Sequence, residues 1–354
     1  MRRVTAAWLD GWKRVAAAPW IVAGFLTLTI GSAVPFAIVM RGLLAAQLDG
    51  SLVAQDVANG VNNDWWQEFL SSQGSGLGST FSPRIAGFAA TLDSLSAIAD
   101  TRAETTPILG LLLVYVLLWT YLSAGIIDRY ARRRPIRAQG FAAACGAHAL
   151  PFSVLAAVGA VLYGVIFGYV HPWLLDTGYA RLTRDLDSER AAFAWRVTAY
   201  AIVGALAAGT NVILDYAKIR VVVEDRRSAT GSLVAAVRFL ARNPGTAGGL
   251  YLLNTVTCAA LMAIWAVIAP SAGAAGLRVW LTLGLGQGFI AARLAAKLHF
   301  LASQTALFQG RLAHERFTAA PVYRWPDAPV VESLGSASSG GGARPIEGST
   351  AHAR

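Results

Sequence analysis

Six apolar runs, each long enough to cross a bilayer as a helix, set the terms for everything else in this chain. They are roughly Trp20–Met40, Pro107–Ile127, Ala149–His171, Ala191–Leu214, Ala247–Pro270 and Leu277–Lys297. A hydrocarbon core about 30 Å thick needs about 20 helical residues to cross. Backbone groups in lipid must be satisfied within the protein, so apolar runs of this length are read as helices. Only 14% of the residues are charged, where a soluble domain carries about 25%. The expected fold class is therefore all-α, a polytopic membrane protein with six transmembrane helices. Basic residues precede the first run, as in a signal peptide. Its length, the structured-looking stretch before it and the five later runs argue for a retained helix.

The net charge of +10 raises the question of nucleic acid. The distribution of the charge gives another answer. With the N-terminus inside, segments 1–19, 128–148, 215–246 and 293–354 hold 22 Lys or Arg against 9 Asp or Glu, and the remainder holds 8 against 11. Lys and Arg near the ends of spans mark the cytoplasmic side. The excess charge thus reads as a topology signal, with both termini cytoplasmic and no nucleic-acid partner. Arginine provides 27 of the 30 basic residues, and alanine and glycine are abundant. That usage suggests a GC-rich bacterial genome and hence a bacterial inner membrane.

Four regions follow. Residues 1–19 form an inner amphipathic helix, and 20–310 the six-span membrane domain. Inside that domain, 41–106 reads as an outer helical hairpin. Leu44, Leu48, Leu52, Val57, Val61, Trp65 and Phe69 recur at helical spacing, and so do Ile85, Phe88, Leu92, Leu95 and Ile98. Trp65 and Trp66 would seat the tip at headgroup level. Residues 311–354 form a cytoplasmic tail, disordered from about 321, where Pro, Gly, Ser and Ala replace any apolar period.

The inner segments share a plan of short amphipathic helix, proline, then an outgoing span. The prolines are Pro19, Pro151 and Pro244. Offsets of four, seven and ten residues before each give Val15, Trp12 and Leu9; Ala147, Ala144 and Phe141; and Leu240, Val237 and Val234. That is one helical stripe, three times. Proline suits the first turn of the span that follows, where its missing N–H costs nothing. The chain therefore reads as three pseudo-repeats, each an inner interfacial amphipathic helix and an out-and-back pair of spans. Mitochondrial carriers share a three-unit plan but carry a Pro-x-acid-x-x-base motif, and here Pro35 is followed at the second position by Ala37.

The stretch Val222-Val-Glu-Asp-Arg-Arg-Ser-Ala-Thr-Gly-Ser-Leu-Val-Ala-Ala-Val237, leading into Pro244, resembles the membrane domain attached to some bacterial glycerophosphodiester phosphodiesterases. The resemblance covers under half of the chain and implies a fold plan. It brings no catalytic residue, and the phosphodiesterase domain is not in this sequence.

No catalytic, cofactor or metal constellation emerges. Cys145 and His148 are two ligand types at helical spacing, and a zinc site takes three or four. Cys145 and Cys258 read as small buried hydrophobes. Gly74–Gly78 lacks the lysine of a phosphate loop. The more informative residues lie in the spans. Gly284 and Gly288 form a Gly-x-x-x-Gly pair suited to helix packing. Asn211, Asn254, Thr255, Thr257 and Gln287 face the bundle interior, either as hydrogen-bonded packing or as the lining of a polar pathway. Arg293 and Lys297 share a helical face, and Asp128 and Asp215 end the equivalent spans of the other units. Arg293 paired with Asp128 or Asp215 would close the inner mouth.

Two function classes follow, both requiring the lipid bilayer as partner. The first, slightly preferred, is a non-enzymatic assembly, scaffold or envelope-organising protein, docking membrane or periplasmic proteins through 41–106. The second is a transporter or channel-like protein for a small solute. A continuous polar cavity among the later spans favours the second, and a dry, Ala/Gly/Leu-packed centre the first.

Overall fold

The computed structural model describes residues 2–58, 62–74, 76–80, 96–97, 100, 106–270 and 277–314. Among these it is helical throughout, with no strand. Eleven helices organise it. They are α1 (Arg2–Ala16), α2 (Pro19–Leu48), α3 (Ala54–Ala58), α4 (Asn63–Gln73), α5 (Thr106–Arg132), α6 (Ala138–Ala147), α7 (Ala149–Thr183), α8 (Glu189–Val223), α9 (Ala229–Arg242), α10 (Pro244–Ile268) and α11 (Leu277–His314). Six of them, α2, α5, α7, α8, α10 and α11, are long and apolar enough to cross a membrane. Even α10, with 25 residues, is about 37 Å long at 1.5 Å per residue. Large apolar side chains such as Leu113, Leu117, Val161, Leu252, Val267 and Leu281 are exposed along these helices. A bilayer gives them the apolar surroundings that water does not.

Local chemistry sets the helix boundaries. Pro19 and Pro244 open α2 and α10 within the first turn. The Ser228 side chain caps α9 by accepting from the Gly231 N–H at 3.2 Å, and Asn62 caps α4 through the Trp65 N–H at 2.9 Å. Helices α5 and α8 stop where Arg133 and Asp225 take positive φ, 59° and 47°. Such a left-handed residue just past the last turn ends a helix and reverses the chain. Helix α7 is longer than its apolar run predicts, passing His171 and Pro172 to reach Thr183. Two π-helical stretches, Ile166–Val170 and Trp173–Gly178, flank the proline. Their wider turns re-route the backbone bonds that Pro172 interrupts.

The core lies toward the end of the bundle that carries the termini. Its wholly buried residues include Ile126, Ile127 and Tyr130 of α5, Ile219 of α8, and Leu298 and Ala302 of α11. Helices α5, α8 and α11 pack on one another there. A second, smaller cluster holds Val57, Trp66 and Phe69 against Leu43, Leu44 and Leu48. It fixes α3 and α4 on the extension of α2. Trp66 is buried in that cluster, so it does not present itself to headgroups. Most of the second arm of the expected outer hairpin lies outside the described residues, as does the expected tail beyond His314; residues 311–314 continue α11.

The three short helices dock in a consistent way. Helix α1 packs chiefly on α11, α6 on α5, and α9 on α8. The face they bury takes in part of the expected apolar stripe: Val15 and Ala144 are buried, and Phe141 and Leu240 pack on the core. Leu9, Val234 and Val237 of that stripe are exposed. Each helix also sets a pair of small residues four apart against the bundle: Ala7 and Gly11, Gly140 and Ala144, Ser232 and Ala236. Small residues let helix backbones approach closely.

Candidate functional site: a cationic cavity inside the bundle

A cavity of about 850 Å³ lies within the bundle, and each of the six long helices contributes to its wall. Its polar lining comes from Tyr115 of α5, Asn211, Asp215 and Lys218 of α8, Tyr251 of α10, and Arg293 and Lys297 of α11. Three cations thus face one carboxylate. Ionisable groups within spans are costly in lipid and turn to an interior or a water-filled space, which explains why these four share one.

Among the described residues no salt bridge holds Lys297. Its Nζ donates to the Tyr115 hydroxyl at 2.8 Å and lies 3.7 Å from the Trp119 ring centroid and 4.6 Å from that of Tyr115. Aromatic faces attract a desolvated cation by roughly 2 kcal/mol. Across the cavity, the Asn211 amide lies 3.4 Å from an Asp215 carboxylate oxygen and 3.5 Å from the Tyr251 hydroxyl. Among the described residues no salt bridge joins Asp215 to Lys218, Arg293 or Lys297. The cavity wall keeps a surplus of two positive charges, from Lys218, Arg293 and Lys297 less Asp215.

Toward the end of the bundle where α1 packs, the interior is closely filled. Ala124, Ile127, Tyr216, Ile219, Leu298 and Ala302 are each at most 1% exposed. Below them, arginines tie the short connections to the helix ends. Arg14 of α1 donates to the Tyr130 carbonyl at 2.9 Å, to Gln309 Oε1 at 2.8 Å and to Asp10 at 2.9 Å. Arg129 donates to the Ala17 carbonyl at 2.9 Å, and Arg133 pairs with Asp10 at 2.7 Å. Burial pulls the Arg14 guanidinium below its usual range, and the charge of Asp10 opposes that pull.

The sequence-derived candidates therefore separate. Asp215, Lys297, Arg293 and Asn211 come together in the cavity. Asp128 does not: it pairs with Arg132 at 2.8 Å, one turn along its own helix. The pairing of Arg293 with Asp128 or Asp215 is not formed. The Arg293 guanidinium lies over the Phe289 ring, 5.7 Å from its centroid. Asn254 is wholly buried, and its amide donates to the Ser303 hydroxyl at 2.9 Å, which is packing chemistry. The Thr257 hydroxyl accepts from the Trp8 indole at 3.3 Å and so anchors α1. Thr255 is exposed and bonds to its own helix at the Tyr251 carbonyl. Gln287 is half-buried and outside the cavity wall.

Gly284 and Gly288 are exposed, and a Cβ built on either meets nothing within 4 Å. Among the described residues no helix uses the pair for close packing. Gly284→Ala with Gly288→Ala is expected to leave the unfolding midpoint of the monomer in detergent unchanged or slightly raised, since alanine is the better helix former by roughly 1 kcal/mol. A lowered midpoint would show a contact that the fold does not contain.

Tyr115, Trp119, Tyr251 and Lys218 were missed by sequence reasoning. A polar tip on an aromatic inside an apolar run was the available signal, as was Lys218 three residues after Asp215. Cys145 behaves as a buried hydrophobe: its thiol packs at Gly125, and burial pushes it up to about 11, far from a reactive thiolate at neutral pH. Comparison of the chain with family models, curated proteins and solved structures finds no match.

Proposed function

We propose that this chain is a membrane transport protein that takes a small anion into the central cavity. The observation that carries the proposal is the charge of that cavity: Lys218, Arg293 and Lys297 against Asp215, within a space bounded by all six long helices. An uncharged, small-residue centre would have favoured the assembly reading, whereas four ionisable side chains line this one. The docking surface required for assembly has less support. The aromatic residues of α4 turn into their own cluster with α2.

In this reading the protein sits in a bacterial inner membrane with cytoplasmic termini, as the distribution of Lys and Arg suggests. The three units are arranged in a ring, each interfacial helix seated on the returning span of the unit before it, and α1 on that of the last. In this reading the packed residues at the α1 end separate the cavity from the cytoplasm, and the substrate is admitted above Lys297.

The test uses the full chain in detergent, with phosphate, acetate and chloride as probes and choline as the cationic comparison. At 100 times its dissociation constant, a ligand specific for the folded state stabilises it by about 2.7 kcal/mol. At least one of the three anions is expected to raise the unfolding midpoint, and Lys297→Gln to remove most of that rise. Equal responses in wild type and variant, or a larger response to choline, would sink the reading.

A further inference from the structure

A second cavity, of about 650 Å³, lies on the terminus side among α8, α9 and α11, away from the central one. Five arginines line it, Arg220, Arg226, Arg238, Arg242 and Arg311, with Glu224 as the one carboxylate. Glu224 is already engaged twice, by Arg220 at 2.7 Å and Arg226 at 2.5 Å. Arg238 and Arg242 are one turn apart on α9 and make no salt bridge among the described residues. Arg311 donates to the Thr246 hydroxyl at 3.1 Å, yet its Nε is buried without a partner, as is that of Arg220. A buried guanidinium N–H left unmade is costly. Gathering five like charges around one space is costly too, unless an anion occupies it.

We infer that this cavity is a binding site for a phosphate-bearing anion, with the phosphate held among Arg238, Arg242 and Arg311. Guanidinium groups match phosphate oxygens in pairs. The wall also carries Val234, Phe239, Phe308 and Leu312, which suit the apolar part of an amphiphile. The site sits where α9 joins α8 to α10, at the level of the span ends. Basic pockets between helices on that side are where anionic headgroups are held. The phosphate of an anionic phospholipid and free phosphate offer the same chemistry, and the experiment separates them.

The full chain in phosphatidylcholine nanodiscs is titrated with phosphatidylglycerol, and lipid retained on the protein is counted by native mass spectrometry. Phosphatidylglycerol is expected to be retained over phosphatidylcholine. Arg238→Gln with Arg242→Gln, both exposed on α9, is expected to weaken that retention roughly tenfold or more. Lys297→Gln in the central cavity is expected to leave it unchanged, which keeps this result independent of the transport reading. If millimolar inorganic phosphate instead stabilises wild type but not the double variant, without preference between lipids, the site holds and its natural ligand is free phosphate. Should the double variant fail to fold, raised salt on the wild type serves in its place, with selective loss of phosphatidylglycerol expected. Equal retention of the two lipids with no effect of phosphate, or wild-type retention by the folded double variant, overturns the inference.

Discussion

Replacing Arg14 with alanine is expected to lower the stability of the protein by roughly 3 kcal/mol, the lower end of what breaking a buried charge network costs. Arg14 is 5% exposed and serves three acceptors from three elements: Asp10 of α1, the Tyr130 carbonyl of α5 and Gln309 of α11. Truncation leaves the carbonyl and the amide oxygen without this donor, each a loss of about 1–3 kcal/mol where no water reaches. Asp10 keeps Arg133, which limits the total. Lysine at position 14 would retain the charge but not the geometry of a guanidinium fork, and should restore less than half. Arg133→Ala is the contrast. Its side chain is 59% exposed, and an exposed pair contributes about 0–1 kcal/mol. Unfolding in mixed micelles at increasing denaturant would rank the three variants. A smaller loss for Arg14→Ala than for Arg133→Ala would contradict the network.

The second large effect belongs to Gly11. A Cβ there would lie 2.7 Å from the Cβ of Ser303 and 2.8 Å from His299 Cε1, closer than real carbon atoms approach. His299 is 1% exposed and stacked on Trp12, with ring centroids 4.3 Å apart, so it has nowhere to move. Gly11→Ala must therefore shift α1 from α11, and overpacking of this kind costs about 1–3 kcal/mol. Valine at the same site would cost more. Gly125→Ala meets Cys145 Sγ at 2.7 Å and Phe141 Cε2 at 2.8 Å. Those are side-chain ends with some freedom, so a smaller loss is expected. Protease release of the N-terminal helix from the purified protein, timed for each variant, checks the order. Were Gly125→Ala the more damaging, the close contact of α1 on α11 would have been overrated.

These two residues show what a sequence of this type conceals. The six long helices were legible because apolar length is a one-dimensional property, and lipid demands it. Asp215, Lys297 and Arg293 were legible because a charge inside an apolar run needs a reason. Arg14 was not, since in a list of residues it is one more cation on the cytoplasmic flank. The faces of the interfacial helices were legible only in part, for a related cause. In a soluble protein an apolar stripe points to the core, whereas here lipid and protein compete for it. Gly11, Ala7 and their counterparts carry the packing because they are small, and smallness leaves no hydrophobic period. Tyr115 and Trp119, which hold Lys297, looked like any aromatic residues in a span. Only the fold puts them beside a lysine that lies 182 residues away from Tyr115.

The docking of α1 on α11 has a consequence for how the molecule is assembled. Helix α1 is synthesised before α11, yet its seat is made from His299, Ser303 and Gln309 of that later helix. During insertion it must wait, with Trp8, Trp12 and Arg14 unplaced, until the sixth crossing has entered the bilayer. A helix made ahead of all six is seated only after them, and its arrival latches the bundle.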